Sequence, residues 1–109
     1  MKNVISGLLF FLCISCQDTN LNTNISEHLK PFEPYIGKTF KGEFSNSTPD
    51  KPVYDISHWE RALNGNAVRI MHSVNKGEFG GESIVMWDRN KESLISWYFT
   101  TAGFYTQAN

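Results

Sequence analysis

Cysteine is absent from the sequence after residue 16. The two cysteines, Cys13 and Cys16, both lie close to the N-terminus. A domain built from the later residues has no thiol, so it can form neither a disulfide nor a cysteine-ligated metal site. Nucleophilic catalysis by cysteine is excluded for the same reason, and the fold must be stabilised by side-chain packing.

The chain also lacks an excess of positive charge. Ten Lys and Arg residues stand against eleven Asp and Glu residues, and the formal net charge is −1. A protein that neutralises phosphate groups needs a basic surface, so nucleic acid is not expected as a partner. The length of 109 residues is suited to a single domain.

No apolar run is long enough for a membrane-spanning helix, which needs about 20 residues. The run over residues 4–14 follows Lys2 and leads into Ser15 and Cys16. A basic residue, a short apolar segment and a small residue before cysteine are typical of a bacterial secretory leader with a lipobox-like site. We therefore expect residues 1–15 to be a signal peptide and Cys16 to carry a diacylglyceryl anchor. An ordinary secretion signal with an incidental cysteine is the alternative.

The segment after the expected cleavage site is polar. Residues 16–26 are rich in Asn and Thr, which predicts a flexible tether between the lipid and a folded domain over residues 27–109. Ser26 is the expected N-cap of a short helix. Pro31 and Pro34 are expected to limit that helix to one or two turns.

From Lys38 onward, short β-type runs alternate with turn residues about every ten residues, which predicts an all-β antiparallel meander. The strongest turn signal is Asn64-Gly65-Asn66. Apolar side chains fall on both sides of the runs, which favours a curved barrel with a partly polar interior. The predicted strands cover residues 39–45, 53–63, 67–75, 82–88 and 93–101, and a sixth begins at Phe104.

That sixth strand has no partner after it in the sequence. Five or six strands leave a barrel open, with an exposed edge. We therefore expect the sequence to be part of a longer chain. If it is complete, we expect a homodimer through the open sheet edge or a poorly stable domain.

Four segments carry a family resemblance: residues 37–42 (GKTFKG), 59–65 (WERALNG), 80–82 (GGE) and 98–106 (YFTTAGFYT). They resemble a bacterial domain-of-unknown-function family with a lipocalin-like (calycin) β-barrel. The resemblance implies an antiparallel barrel of roughly eight to ten strands, of which this chain holds the first part. The family has no agreed activity. The wider calycin group includes haem-binding proteins, but their late axial histidine motif is not found here, and no cofactor is predicted.

Seven side chains are predicted to line the cavity of such a barrel. Aromatic rings would supply contact area, and Arg or His would fix a polar head group. An inward-pointing Arg61 or Arg69 would suit a carboxylate such as that of a fatty acid. A structural pairing between the Arg and Glu side chains is favoured over this role. The seven candidates are Trp59, Arg61, Arg69, His72, Glu82, Trp97 and Tyr98.

His58 and His72 lie on either side of the Asn-Gly turn. Counting outward from a Leu63–Ala67 pair places them roughly opposite each other, where Glu60 or Glu82 could complete a divalent metal site. A slip of one residue would put them on opposite faces. A structural role for these histidines is favoured, so no metal site is predicted.

The sequence therefore predicts a lipid-anchored protein of the bacterial cell envelope, on the periplasmic face or at the cell surface. Its barrel is expected to bind a small apolar or amphipathic molecule. One alternative is an enzyme that uses His72 and Glu82 as an acid–base pair. The other is a non-catalytic envelope scaffold with a filled interior and an exposed apolar patch.

Overall fold

The structure is a computed structural model and describes residues 24–109. The predicted signal peptide and the predicted acylation of Cys16 lie outside the described residues. A 3₁₀ helix, Glu27–Tyr35, comes first, and six β-strands follow it. A short 3₁₀ turn, Leu63–Gly65, connects the second strand to the third.

The six strands form one antiparallel sheet in which every strand pairs with its neighbours in sequence. The predicted all-β meander is therefore confirmed. The main departure is β4, which begins at Phe79 rather than at Glu82. The strands are β1 (Thr39–Glu43), β2 (Tyr54–Ala62), β3 (Ala67–Val74), β4 (Phe79–Asp88), β5 (Ser93–Thr100) and β6 (Tyr105–Ala108).

The β2–β3 connection determines the register of the central strands. Leu63, Asn64 and Gly65 have φ angles of 48°, 56° and 88°, a region that Asn and Gly adopt more readily than other residues. The turn predicted at Asn64-Gly65 is therefore present. Its first residue is Leu63, so the strands pair from Ala62 opposite Ala67. The expected Leu63–Ala67 pairing is wrong by one residue.

The 3₁₀ helix is longer than the sequence predicted, since it continues through Pro31 and Pro34. The φ angle of proline fits a helical turn, and each proline only removes one N–H donor. Ser26 is the N-cap residue, as predicted, but its side chain makes no capping hydrogen bond. The Ser26 amide instead donates to the Gly65 carbonyl oxygen over 2.8 Å, which joins the start of the helix to the β2–β3 turn.

The sheet has two faces, and residues directly paired across strands share a face. We call the face that contacts the 3₁₀ helix the helix-bearing face and the other one the opposite face. Successive side chains of β3, β4 and β5 alternate between these two faces. On β2 to β5 the helix-bearing face comprises Asp55, Ser57, Trp59, Arg61, Val68, Ile70, His72, Val74, Phe79, Gly81, Ser83, Val85, Trp87, Leu94, Ser96, Tyr98 and Thr100.

The core lies between the helix and one end of this face. Leu29 of the helix and Val68 of β3 are both fully buried, and Ile25 is 9 % exposed. Burial of each such side chain contributes about 1.5–3 kcal/mol. Partly buried side chains surround these three: Phe32, Ile36, Trp59, Ile70, Val85 and Leu94.

The sheet is open in the described part of the chain. β1 and β6 each pair with one strand only, and the six strands do not close into a barrel. Within residues 24–109, no helix has the length and apolar character needed to span a membrane.

Candidate functional site

The sheet separates the seven predicted cavity residues into two groups. Side chains that share a cavity wall must lie on the same face, so the seven cannot line one cavity in this sheet. The helix-bearing face holds Trp59, Arg61, His72 and Tyr98, whereas the opposite face holds Arg69, Glu82 and Trp97.

On the helix-bearing face, three side chains from three different strands form one hydrogen-bonded chain. His72 of β3 is at its centre. Its Nδ1 lies 2.8 Å from Asp55 Oδ1 on β2, and its Nε2 lies 2.7 Å from the Tyr98 hydroxyl on β5. The ring of Phe79 meets the His72 ring edge-on, with centroids 6.2 Å apart. The polar chain therefore has an apolar neighbour on one side.

The direction of the hydrogen bonds follows from the chemistry of the partners. An ionised carboxylate only accepts hydrogen bonds, so His72 Nδ1 donates its proton to Asp55. In neutral imidazole the other nitrogen is then an acceptor. The Tyr98 hydroxyl must donate to it. In this arrangement the carboxylate orients the imidazole, and the histidine can hold a proton at a defined nitrogen.

Gly81 makes the hydrogen-bonded arrangement of Asp55, His72 and Tyr98 possible. Tyr98 lies on β5 and His72 on β3, so the phenol must pass over β4, where Gly81 stands directly opposite His72. A Cβ atom on Gly81 would lie 2.7 Å from Tyr98 Cε1 and would also meet the Phe99 carbonyl oxygen. Gly80 and Gly81 both lie in regular pairing within β4, so they form neither a bulge nor a bend. Their function is to allow close approach.

The environment of Tyr98 raises the pKa of its hydroxyl above the usual 10.0, first through burial and second through the negative charge of Asp55. Both disfavour the phenolate. The raised pKa means that the phenol contributes its stabilisation fully below about pH 10 and loses it as the pH rises through the folded value.

We expect the Tyr98 hydroxyl to ionise above pH 10.0, the usual tyrosine value. Its ionisation is the part of the absorbance change that disappears in Tyr98→Phe. The free energy of unfolding of Tyr98→Phe should also fall less steeply with alkaline pH than that of the unsubstituted protein. Difference absorbance of the phenolate and urea unfolding at several pH values measure the two effects. Ionisation of Tyr98 at or below its usual pH would contradict the assignment.

Arg69 and Glu82 belong to an ion-paired strip on the opposite face. Arg69 Nη2 lies 2.9 Å from Glu82 Oε1, and its Nη1 lies 3.2 Å from Glu60 Oε1. The hydrogen bond that Arg69 donates to Glu82 and the negative charge of Glu82 are the main causes that raise the pKa of Arg69. His58 extends the strip, with its Nε2 3.9 Å from Glu60 Oε2. The structural pairing of Arg with Glu is thus the arrangement observed, and exposed pairs of this kind add little to stability.

This division of faces overturns two alternatives drawn from the sequence. His72 stands opposite Gly81, and Glu82 points to the other face, so His72 and Glu82 are not an acid–base pair. His58 pairs with Met71 and therefore does not face His72 either. The shift of one residue at the β2–β3 turn is the cause for His58. No group of three or more metal-ligating side chains occurs among residues 24–109.

The other two residues of the helix-bearing group have structural contacts. Arg61 donates from Nε to the Asn24 carbonyl oxygen and from Nη2 to Asn64 Oδ1 over 3.2 Å. It thereby ties the segment before the helix to the β2–β3 turn. Trp59 packs under the helix, with its ring 5.1 Å from Tyr35 and 6.2 Å from Phe32.

Asp55 is a residue of the candidate site that the sequence prediction missed. It falls in the predicted second strand, at an even spacing from Trp59 and Arg61, so alternation places it on their face. The signal available in the sequence was a carboxylate at a strand position where an apolar or hydroxyl-bearing side chain is expected. Its partner on β3 depends on the register, which the sequence did not give.

The chain was compared with protein-family models, curated proteins and solved structures, and none of them matches it. The resemblance to a lipocalin-like family therefore stays a prediction from the four sequence segments. The functional argument depends on the geometry of the helix-bearing face.

Proposed function

We propose that this chain is a lipoprotein of the bacterial cell envelope whose β-domain binds a small apolar or amphipathic molecule on its helix-bearing face. In this proposal Cys16 holds the lipid, and residues 17–26 are the tether. The sheet belongs to a lipocalin-like barrel whose interior is the helix-bearing face.

The observation that supports this function is the Asp55–His72–Tyr98 chain. Away from the helix, this face offers three connected polar groups among apolar and small side chains. Binding sites for small molecules commonly combine an apolar wall with a few well-placed polar groups. His72 and Asp55 are largely covered, with side chains 20 % and 29 % exposed, so their hydrogen bonds are partly protected from water.

Small side chains give this face room for a ligand. Gly42 of β1 pairs with Asp55, and Ser83 of β4 lies opposite Tyr98. Ser57 and Ser96 are also on this face. A barrel interior lined by such small residues would leave space above the sheet, whereas large side chains would occupy that space.

A second candidate function, an interaction scaffold, is favoured by one surface on the opposite face. Trp97, Phe99 and Tyr105 lie side by side there, with ring centroids 5.8–6.4 Å apart. They are 39 %, 49 % and 63 % exposed. Adjacent exposed aromatic side chains are typical of a protein-binding surface. This candidate includes the homodimer through the edge of β6.

Native mass spectrometry of the full-length, tag-free protein from its own host tests the binding function. We expect a retained small molecule, together with a mature chain that begins at a diacylated Cys16. Ser83→Trp should release the molecule, because its indole would occupy the helix-bearing face. Ser73→Trp is the matched control, since Ser73 is on the opposite face.

Loss of the molecule from both tryptophan variants, or from neither, would contradict binding on the helix-bearing face. An empty mass in the unsubstituted protein, together with a partner retained by the exposed aromatic surface, would favour the scaffold. An unmodified Cys16 would remove the anchor without affecting the binding proposal.

A further inference from the structure

We propose that the head group of the ligand is a hydrogen-bond donor, an alcohol or an amine, which binds to the Tyr98 hydroxyl oxygen. A carboxylate head group is disfavoured. This inference rests on the proposed function, since it identifies the ligand class of the same face. It replaces the fatty acid suggested by the arginines in the sequence.

The first step is the direction of the proton in each hydrogen bond. Asp55 accepts from His72 Nδ1, and neutral His72 Nε2 accepts from the Tyr98 hydroxyl over 2.7 Å. The only hydroxyl proton of Tyr98 is therefore engaged. What Tyr98 can still offer is the lone-pair side of its oxygen, which accepts hydrogen bonds. A ligand that meets this oxygen must itself donate.

The second step is the charge on this face. Among the strand residues of the helix-bearing face in the described part of the chain, Asp55 is the one carboxylate and Arg61 the one cation besides histidine. Arg61 is engaged with Asn24 and Asn64 at the β2–β3 turn. Arg69 is on the opposite face between two glutamates. A carboxylate ligand at Tyr98 would meet the negative charge of Asp55, and neither Arg61 nor Arg69 is available to pair with it.

The third step concerns the nearby hydroxyls. Ser57 lies opposite His72 and Ser83 lies opposite Tyr98. A serine hydroxyl can donate or accept, so these two side chains do not discriminate between head groups. Discrimination between head groups therefore depends on the Tyr98 hydroxyl oxygen and on the negative charge of Asp55, to which His72 is hydrogen-bonded. Both favour a neutral or cationic donor.

Isothermal titration calorimetry on the full chain in lipid nanodiscs, with empty nanodiscs subtracted, tests this preference. The probes are octylamine, octanol, heptyl methyl ether and octanoate, which have similar chain lengths and different head groups. All four titrations are carried out at one pH, so that the head groups are compared under the same conditions. We expect octanol and octylamine to bind about tenfold more tightly than the ether, the upper range for one net hydrogen bond, and octanoate to bind most weakly.

Two variants separate the head-group contact from the apolar contact. Tyr98→Phe should lower octanol affinity to that of the ether and leave ether affinity unchanged, which also shows that the variant is folded. Asp55→Asn should raise octanoate affinity, because the charge is removed and His72 can adopt the tautomer that frees the Tyr98 proton.

Octanoate binding as tightly as octanol would overturn the head-group assignment. Equal affinities for octanol and the ether would do the same, and the proposed binding function would stand in both cases. If none of the four probes binds, the binding function and this inference both fail.

Discussion

Replacing Gly81 by alanine is expected to lower the free energy of unfolding by about 3 kcal/mol, the upper end of the usual cost of overpacking. The new Cβ atom would lie 2.7 Å from the Tyr98 ring and would also meet the Phe99 carbonyl oxygen of the neighbouring strand. The ring can move, but the carbonyl belongs to the sheet. Urea unfolding of the full chain measures the loss.

The same variant should disconnect Tyr98 from His72, because the phenol can no longer lie across β4. Its hydroxyl should then ionise closer to the usual tyrosine pH. Gly42→Ala is the matched control, since a Cβ atom there meets nothing within 4 Å. We expect Gly42→Ala to leave stability unchanged or to raise it by up to about 1 kcal/mol through the unfolded state. Equal losses for the two variants would show that Gly81 is not a site of close approach.

Replacing Leu29 by alanine is expected to cost about 2–5 kcal/mol, the usual range for a buried leucine. Leu29 is fully buried, as is Val68 in the same cluster. A domain of this size has a total stability of about 5–15 kcal/mol, so the variant removes a large share of it. Thermal and urea unfolding measure the change.

Leu63→Ala is the control for this second prediction. Leu63 is 62 % exposed, so the same truncation should change stability by no more than about 0.5 kcal/mol. If both leucine variants lose a similar amount, the helix does not provide the core of the domain. The near-ultraviolet circular dichroism of Trp59, which packs under the helix, should change in Leu29→Ala and not in the control.

The two sites of these predictions are connected through the sheet. Val68 of the core and His72 of the polar chain are both on β3 and on the same face. The helix therefore stabilises one end of the face on which the proposed binding groups lie. We expect variants in the core to weaken ligand retention only to the extent that they unfold the protein, whereas Tyr98→Phe should act without unfolding it.

Much of the fold was predictable because it depends on local properties of the chain. Turn residues such as Asn64 and Gly65 adopt positive φ at little cost, and they mark the ends of strands. Alternation then assigns the side chains of each strand to two groups, because successive side chains in an extended strand point to opposite sides. The grouping of His72 with Val68, and of Trp97 with Phe99, follows from this rule alone.

The candidate site was less predictable because it depends on register. One residue of difference at the β2–β3 turn moved His58 to the face opposite His72, since the side-chain period of a strand is two. The contact between His72 and Asp55 also depends on the register of β2 and β3, so the sequence did not predict it. A sequence pattern gives the face of a residue within its own strand and does not give the residue opposite.

By itself, the sequence determined six strands in a meander, the two side-chain sets of each central strand and the absence of thiol chemistry after residue 16, because these depend on composition and nearby residues. Only the tertiary structure decided that Asp55, His72 and Tyr98 meet and that Arg69 is held by glutamates. These contacts join residues far apart in the chain. They exist because of the pairing of particular strands and because Gly81 has no side chain in the way of Tyr98.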